Sequence, residues 1–407
     1  MITSSYPRFR GDTIATFMEP IARGIAARGH EVHVVLPWHP RLDPAAIERD
    51  VSIHPFRYAP VASLNVFGYS GALDADVRLR RRAYLAAPLA FWAGRRAVRR
   101  VIREYGATIV HGHWAVPGGT TAAAAAGELP VVVSLHGSDI YVAERSRVAR
   151  IGARRAFSRA GWITACSDDL LERAIALGAS RDRSETVPYG VDATRFRPDA
   201  EARARVRQEL GVAEHDPVVF AAGRFVHKKG FVYLIDATAT LVRRWPRVRI
   251  VIGGGGDLSA FLHARAHEAG VARQIVFTGV LDHAAVAACL AAADVAVVPS
   301  VRDRAGNVDG LPNIVMESLA SGTPLVATTV GGIPSVVEAD RTALLVPPAD
   351  TPALAAAIDA LLSDPARRQA LGRAARDDAI ARHSWVRVAE TFERAYERAR
   401  QFRSRLR

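Results

Sequence analysis

Short apolar runs alternate with longer amphipathic stretches along most of the chain. The runs at 32–36, 108–110, 131–135, 218–222, 250–252, 275–277, 295–298 and 344–346 are apolar at nearly every position. That pattern suits strands covered on both faces of a parallel sheet rather than half-exposed ones. Helical spacing runs through 13–28, 284–292, 352–362, 367–380 and 386–400, and another helix starts at Phe231. Alternation of strand and helix in both halves predicts an α/β protein with two Rossmann-like parallel-sheet domains. The stretch Val187-Pro188-Tyr189-Gly190-Val191-Asp192 interrupts the alternation, and its Pro and Gly mark a boundary. The expected division is 1–190, 191–380 and a terminal segment 381–407.

The stretch 295–333 carries the densest chemistry. A buried strand feeds a polar loop, which turns at Gly310-Leu311-Pro312 into a short helix that stops at Ser321-Gly322. Pro312 suits the first helical position, and Gly322 suits a left-handed C-terminal stop. Strand, loop and helix N-terminus together place free backbone N–H groups and the helix dipole where an anion can bind. Asp309 precedes the turn and Glu317 lies inside the helix, with seven residues between them. Donor amides flanked by carboxylates fit a nucleotide sugar, whose diphosphate needs donors and whose hydroxyls need acceptors. Taken alone, the two acids read first as a loop acid and a solvated helix acid, and the surrounding loop, helix and Gly-Gly turn reverse that preference.

A second strand-to-loop transition, 218–222 into Gly223-Arg224-Phe225-Val226-His227-Lys228-Lys229-Gly230, is basic. Lys228 and Lys229 are the only lysines of the chain, which sets this loop apart from an ordinary surface turn. A third transition ends in Gly253-Gly254-Gly255-Gly256-Asp257, a weak nucleotide signal by itself.

In the first half, His111-Gly112-His113-Trp114 and His136-Gly137-Ser138-Asp139 follow apolar strands, which puts them at the edge where open α/β sheets bind ligands. Their spacing matches no zinc motif, and no metal site is expected. From Arg78 to Arg103 the chain carries nine arginines, at 78, 80, 81, 82, 95, 96, 99, 100 and 103. This segment reads either as a solvated helix face or as a surface for anionic lipid headgroups or a lipid diphosphate. Tyr84, Phe91 and Trp92 within it suit an interface and a core equally well.

The formal charge of +13 admits nucleic acid, anionic membrane or anionic substrate as partners. No recognisable nucleic-acid-binding module accompanies that charge, so no nucleic-acid partner is expected. The absence of a G-x-G-x-x-G helix opening disfavours a dinucleotide oxidoreductase. Cys166 and Cys289 are too few for a disulfide framework and read as reduced core residues. No apolar run approaches the roughly 20 residues of a spanning helix. The expected location is cytoplasmic, with peripheral attachment to the inner face of the membrane if the arginine segment meets lipid.

Asp309, seven residues, Glu317, a small-residue helix, Gly322-Thr323-Pro324-Leu325 and the turn Gly331-Gly332-Ile333-Pro334 together resemble the signature of the retaining glycosyltransferases of family four. Asp309 stands where that family usually has Glu. The resemblance covers nearly the whole chain and is strongest from 218 to 333. The His-x-His-Trp segment before Pro117-Gly118-Gly119 is similar to members that assemble bacterial exopolysaccharide or lipopolysaccharide. What it implies is a GT-B architecture, two Rossmann-like domains facing a cleft, with the terminal helix packing back on the N-terminal domain. It implies a UDP- or GDP-linked sugar donor, a glycan or lipid-linked acceptor, and neither metal nor cofactor. Catalytic roles pass to His136, Arg224, Lys229 and Asp309. Donor binding passes to Gly11, Arg224, Lys229, Gly310, Leu311, Asn313, Ile314 and Glu317. The family's first strand supplies four or five apolar residues before Met1-Ile2-Thr3, so the recorded start is expected to lie downstream of the true one unless the strand is short. A nucleotide-sugar epimerase or hydrolase of the same architecture and, outside enzymes, a basic nucleic-acid-binding protein are the alternative readings.

Overall fold

The computed structural model describes residues 1–405 except 13, 48–49, 60–64, 70–72, 75–77, 80 and 305. Arg80 of the basic segment therefore lies outside the described residues, as do the side chains of Arg78 and Arg81. Two compact units emerge: Met1–Tyr189 with Trp385–Arg407, and Gly190–Ser384.

In the first unit the elements run α1 (Met18–Ala26), β1 (His33–Pro37), α2 (Pro44–Ile47), β2 (Ser52–Phe56), the two-stranded ribbon β3 (Leu73–Asp74) and β4 (Arg78–Leu79), and α3 (Arg81–Tyr105). They continue with β5 (Val110–His113), α4 (Thr120–Ala125), β6 (Val131–Leu135), α5 (Ser138–Arg145), α6 (Arg147–Arg159), β7 (Trp162–Ala165), α7 (Asp168–Ala176) and β8 (Ser184–Thr186). β1 pairs with β2, and β5 to β8 pair in sequence, all parallel. Ile2 joins the two groups by parallel bridges to Val35 and Gly112. Its N–H donates to His111 O at 2.8 Å, and its carbonyl accepts from His113 N–H at 2.9 Å. A single paired residue thus occupies the place where a first strand of four or five was expected.

Two sequence expectations change here. Helix α1 begins at Met18 rather than at 13, because Ala15 adopts a left-handed φ of 50° that no α-helix continues through. Strand β5 begins and ends later than 108–110, so His111 and His113 lie within the strand, not beyond its end. Their backbones complete the ladder with Ile2 and β6, and both side chains point into the protein, 2% and 0% exposed.

The second unit runs α8 (Ala200–Glu209), β9 (Val218–Ala222), α9 (Phe231–Leu241), β10 (Arg249–Gly253), α10 (Ser259–Glu268), β11 (Ile275–Gly279), α11 (His283–Ala292) and β12 (Val295–Val298). After these come α12 (Asn313–Ser321), β13 (Leu325–Thr328), β14 (Leu344–Val346), α13 (Thr351–Ser363) and α14 (Pro365–Arg382). Its six strands are parallel in the order β11-β10-β9-β12-β13-β14. This is the doubly wound arrangement, in which the direction of winding reverses between β9 and β12. Every residue of β12 and β13 is buried, which explains why those runs are apolar throughout rather than alternating. α8, α11, α13 and α14 each start with an Asp whose carboxylate accepts a first-turn N–H. The three helices that follow β9, β10 and β12 have no side-chain cap.

The last helix, α15 (Trp385–Ser404), belongs to the first unit, where it packs on α1, β6 and β7. The chain crosses between units at 189/190 and 384/385, against the expected cuts at 190/191 and 380/381. The second difference is larger because α14 continues to Arg382 before the break at His383.

Candidate active site

The reversal of winding between β9 and β12 opens the sheet at the carboxyl ends of those strands, and the loops leaving them meet there. They are fixed to each other through the backbone. Val301 N–H donates to Lys228 O at 2.8 Å, and a Cβ on Gly230 would lie 1.8 Å from Pro299 O. Gly230 also takes φ +66°, so any other residue there would be both strained and crowded.

This junction brings Lys228 and Lys229 against Asp309. Lys229 Nζ lies 2.7 Å from Asp309 Oδ2, and Lys228 Nζ lies 3.3 Å from Oδ1. Burial acts to raise the Asp309 carboxyl, but Lys229 and then Lys228 outweigh it and hold the group well below the usual carboxylate range. A Cβ on Gly331, whose φ is +61°, would come within 2.2 Å of Asp309 O, so the Gly331-Gly332 turn seats the Asp309 backbone. Glu317 sits in the second turn of α12 with its carboxylate 4.0 Å from His283 Nε2. Burial pushes its carboxyl up to about 7, against the pull of Lys229 and Arg195. One acid of the pair is thus kept ionised by cations, while the other is poised to change charge near neutrality.

Pro312 differs from expectation: it is the N-cap of α12, in extended conformation (φ −68°, ψ 124°), and not the first helical residue. The helix opens at Asn313 and Ile314, after the buried Gly310 and Leu311, and Pro312 has no side chain that could cap it. Arg224 is exposed on the loop that carries the lysines. Sequence reasoning passed over Lys228 as a site residue, although its place beside the only other lysine was the available signal. It also passed over His283, for which the sequence held no signal.

His136 and Gly11 lie in the first unit. His136 follows β6, and the turn after it is fixed by Asp139, which accepts N–H bonds from Ala115 at 2.7 Å and Gly137 at 3.0 Å. Both ring nitrogens of His136 are engaged: Nδ1 with Tyr189 Oη at 3.0 Å and Nε2 with His113 Nδ1 at 3.1 Å. Burial lowers the His136 imidazole to about 3 and pulls His111 and His113 well below their ordinary value, so all three are neutral at physiological pH. His111 bonds Tyr396 Oη of α15 at 2.9 Å and Ser134 Oγ at 2.7 Å. Rings of Phe17 and Trp114 pack 4.8 and 4.7 Å from His136. Gly11 takes φ +85° in a turn where a Cβ would meet nothing within 4 Å. Its conformation, not its surroundings, selects glycine there. Among the described residues, no cluster of three or more His, Cys, Asp or Glu could hold a metal ion.

Residues 14–195 match the family described as Glycosyltransferase Family 4, and residues 202–378 match Glycosyl transferases group 1. A GDP-mannose-dependent alpha-(1-6)-phosphatidylinositol monomannoside mannosyltransferase of Mycobacterium tuberculosis is 30% identical over 404 residues, 96% of this chain and 95% of that protein. The chain belongs to glycosyltransferase family 4. The mannosyltransferase of the same name from Mycolicibacterium smegmatis is 37% identical over 271 residues, covering 65% of this chain and 70% of the relative. The teichuronic acid biosynthesis glycosyltransferase TuaC of Bacillus subtilis, itself a putative assignment, is 28% identical over 88% of this chain and 87% of its own. Among solved structures, Anabaena HepE in complex with UDP aligns with a TM-score of 0.77 at 20% identity, over 97% of this chain and 99% of that one. That likeness supports the two-domain GT-B fold of this glycosyltransferase.

Proposed function

We propose that this glycosyltransferase moves a sugar from a nucleoside diphosphate donor to a hydroxyl of a glycolipid or other lipid-linked or glycan acceptor, with retention at the anomeric carbon. The observation that carries this reading is the meeting of Lys228, Lys229, Asp309 and Glu317 with the uncapped start of α12 at the winding reversal of the second unit. GDP-mannose is the donor favoured by the names of the relatives, with UDP-linked sugars as the comparison set.

As the bond from the anomeric carbon to the diphosphate breaks, negative charge gathers on the leaving oxygens. Lys228 and Lys229, Arg224 and the first-turn N–H groups of α12 at Asn313 and Ile314 would receive it, positioned in advance. In this reading that charge replaces a divalent cation, and no cofactor beyond the donor is required. The acceptor oxygen forms its bond on the face the diphosphate leaves, and its proton passes to a departing phosphate oxygen. Glu317 takes the ribose hydroxyls as an acceptor. Asp309 holds the lysines until the diphosphate arrives and then faces the sugar hydroxyls. His136, in the first unit, is neutral and bonded at both nitrogens, so in this reading it moves no proton.

Thermal stabilisation by GDP, UDP, ADP and their sugars tests this directly, since a ligand that binds the folded state raises stability by mass action. The expected result is stabilisation by GDP and GDP-mannose, with donor consumed only when an acceptor is present. Stabilisation by none of them would overturn the proposal, and donor consumption without an acceptor would replace it with a hydrolase.

A further inference from the structure

We infer that the outward face of α3 docks on an anionic lipid bilayer. The 25-residue helix is apolar on the wrong side in its first half. Its inward face is built of small residues: Ala83, Ala86, Ala90, Ala97, Val98 and Val101 are buried. Four large apolar residues of its first half face out, with Leu85 75%, Trp92 61%, Tyr84 51% and Leu89 47% exposed, while Phe91 is half-buried. A helix whose only task is to cover a core places these the other way round.

The same outward line turns basic further along. At about 100° per residue, Leu85, Leu89, Trp92, Arg96, Arg99 and Arg103 fall within roughly 40° of one line on the helix surface. Arg96, Arg99, Arg100 and Arg103 are all exposed, and Glu104 is the only acid on the helix. Pro88 sits on the exposed side, where the helix continues through it. Trp92 is held outward by Arg95, whose guanidinium lies 5.0 Å over the indole ring and whose Nε donates to Ala124 O at 3.1 Å. A fixed apolar ridge running into an arginine ridge matches the acyl boundary and phosphate layer of an anionic bilayer. A second copy of this chain is the poorer occupant, because its formal charge of +13 opposes self-association and would bring arginine against arginine. The inference does not depend on the donor chemistry, because none of these residues belongs to the second unit.

Co-sedimentation of the full chain with vesicles of phosphatidylcholine alone, and with phosphatidylglycerol added, tests the proposal. The wild type is expected to sediment with the anionic vesicles, less so as salt rises, and to leave neutral vesicles largely unbound. Leu85→Ser/Trp92→Ser and, separately, Arg96→Glu/Arg100→Glu should each weaken anionic-vesicle binding by about tenfold or more. Both variants alter exposed positions, and unchanged melting temperatures establish that they fold. Wild type that stays in the supernatant overturns the proposal, as does binding that neither variant alters. A vesicle-free dimer in light scattering that Leu85→Ser/Trp92→Ser converts to monomer overturns it in favour of a self-interface.

Discussion

The two polar clusters of this glycosyltransferase are buried by opposite means. In the second unit Asp309 is held ionised by Lys229 and Lys228, and Glu317 next to them is lifted to about 7. In the first unit His111, His113 and His136 avoid charge altogether, each lowered by burial. His113 and His136 bond each other, His136 also bonds Tyr189, and His111 bonds Ser134 and Tyr396, while His113 Nε2 is buried without a partner. Two cations against one ionised acid leave a surplus of positive charge that an anionic ligand can use. A packed group of neutral rings has no such surplus. Burial of polar groups therefore does not by itself mark a reactive site; the sign and balance of what is buried decide.

Lys229→Ala strikes the contrast hardest. It removes the closer of the two cations from Asp309 and leaves a buried carboxylate with one partner. Diphosphate affinity should fall by roughly a hundredfold, about 3 kcal/mol, measured by titration calorimetry with GDP and UDP. Asp309→Asn in the same background should restore part of the lost thermal stability but none of the affinity. Unchanged diphosphate affinity in Lys229→Ala would reduce the charged cluster to a structural ion pair and erase the distinction.

Glu317→Gln probes the poised member. Its carboxyl is raised from an ordinary 4.5 to about 7, so between those values the folded chain holds a proton that the unfolded chain has released. Stability from this group is therefore present below about pH 4.5 and is lost as pH rises through about 7, a penalty of roughly 3 kcal/mol once complete. The wild type should lose more melting temperature between pH 5 and pH 8 than Glu317→Gln does. At pH 8 the variant should bind the nucleotide sugar about tenfold more weakly, because an amide replaces the carboxylate acceptor. Parallel melting profiles for the two proteins would show that Glu317 does not titrate in this window.

Much of what depends on neighbours in sequence was legible beforehand, although the start of α1 and the capping place of Pro312 were not. Asp309, Gly310, Leu311, Asn313, Ile314 and Glu317 lie within one strand-loop-helix segment, so their grouping followed from spacing, and the left-handed stop at Gly322 followed from its residue type. The meeting of Lys229 with Asp309 depends on β9 and β12 being adjacent, which strand order decides and local pattern does not. His111 and His113 were placed past a strand end because polar residues look like a stop. They continue β5 since Tyr396, Ser134 and His136, from 285 to 23 residues away, supply partners for the rings. The tripeptide that starts at Met1 pairs on both sides only through residues far along the chain. Exposure on α3 was equally hidden: Tyr84 and Trp92 have the composition of core residues, and only the packing of Ala83, Ala86 and Ala90 inward turns them out.

The smallest expected effect comes from Tyr189→Phe. This variant removes one hydroxyl, the partner 3.0 Å from His136 Nδ1, while keeping the ring that stacks on Phe17 at 4.4 Å. Loss of a single neutral hydrogen bond should cost about 1 kcal/mol of stability, read as a modest fall in melting temperature. Diphosphate affinity should not change, because nothing in the lysine cluster is touched. The pH dependence of turnover should also keep its shape, since a ring lowered to about 3 stays neutral across the working range even after losing one partner. A new ionisation between pH 6 and 8 in the variant would mean that Tyr189 had been holding His136 out of acid–base chemistry. In that case the neutral cluster would be a restrained reactive group and not a rigid wall, and the two clusters would differ in restraint, not in kind.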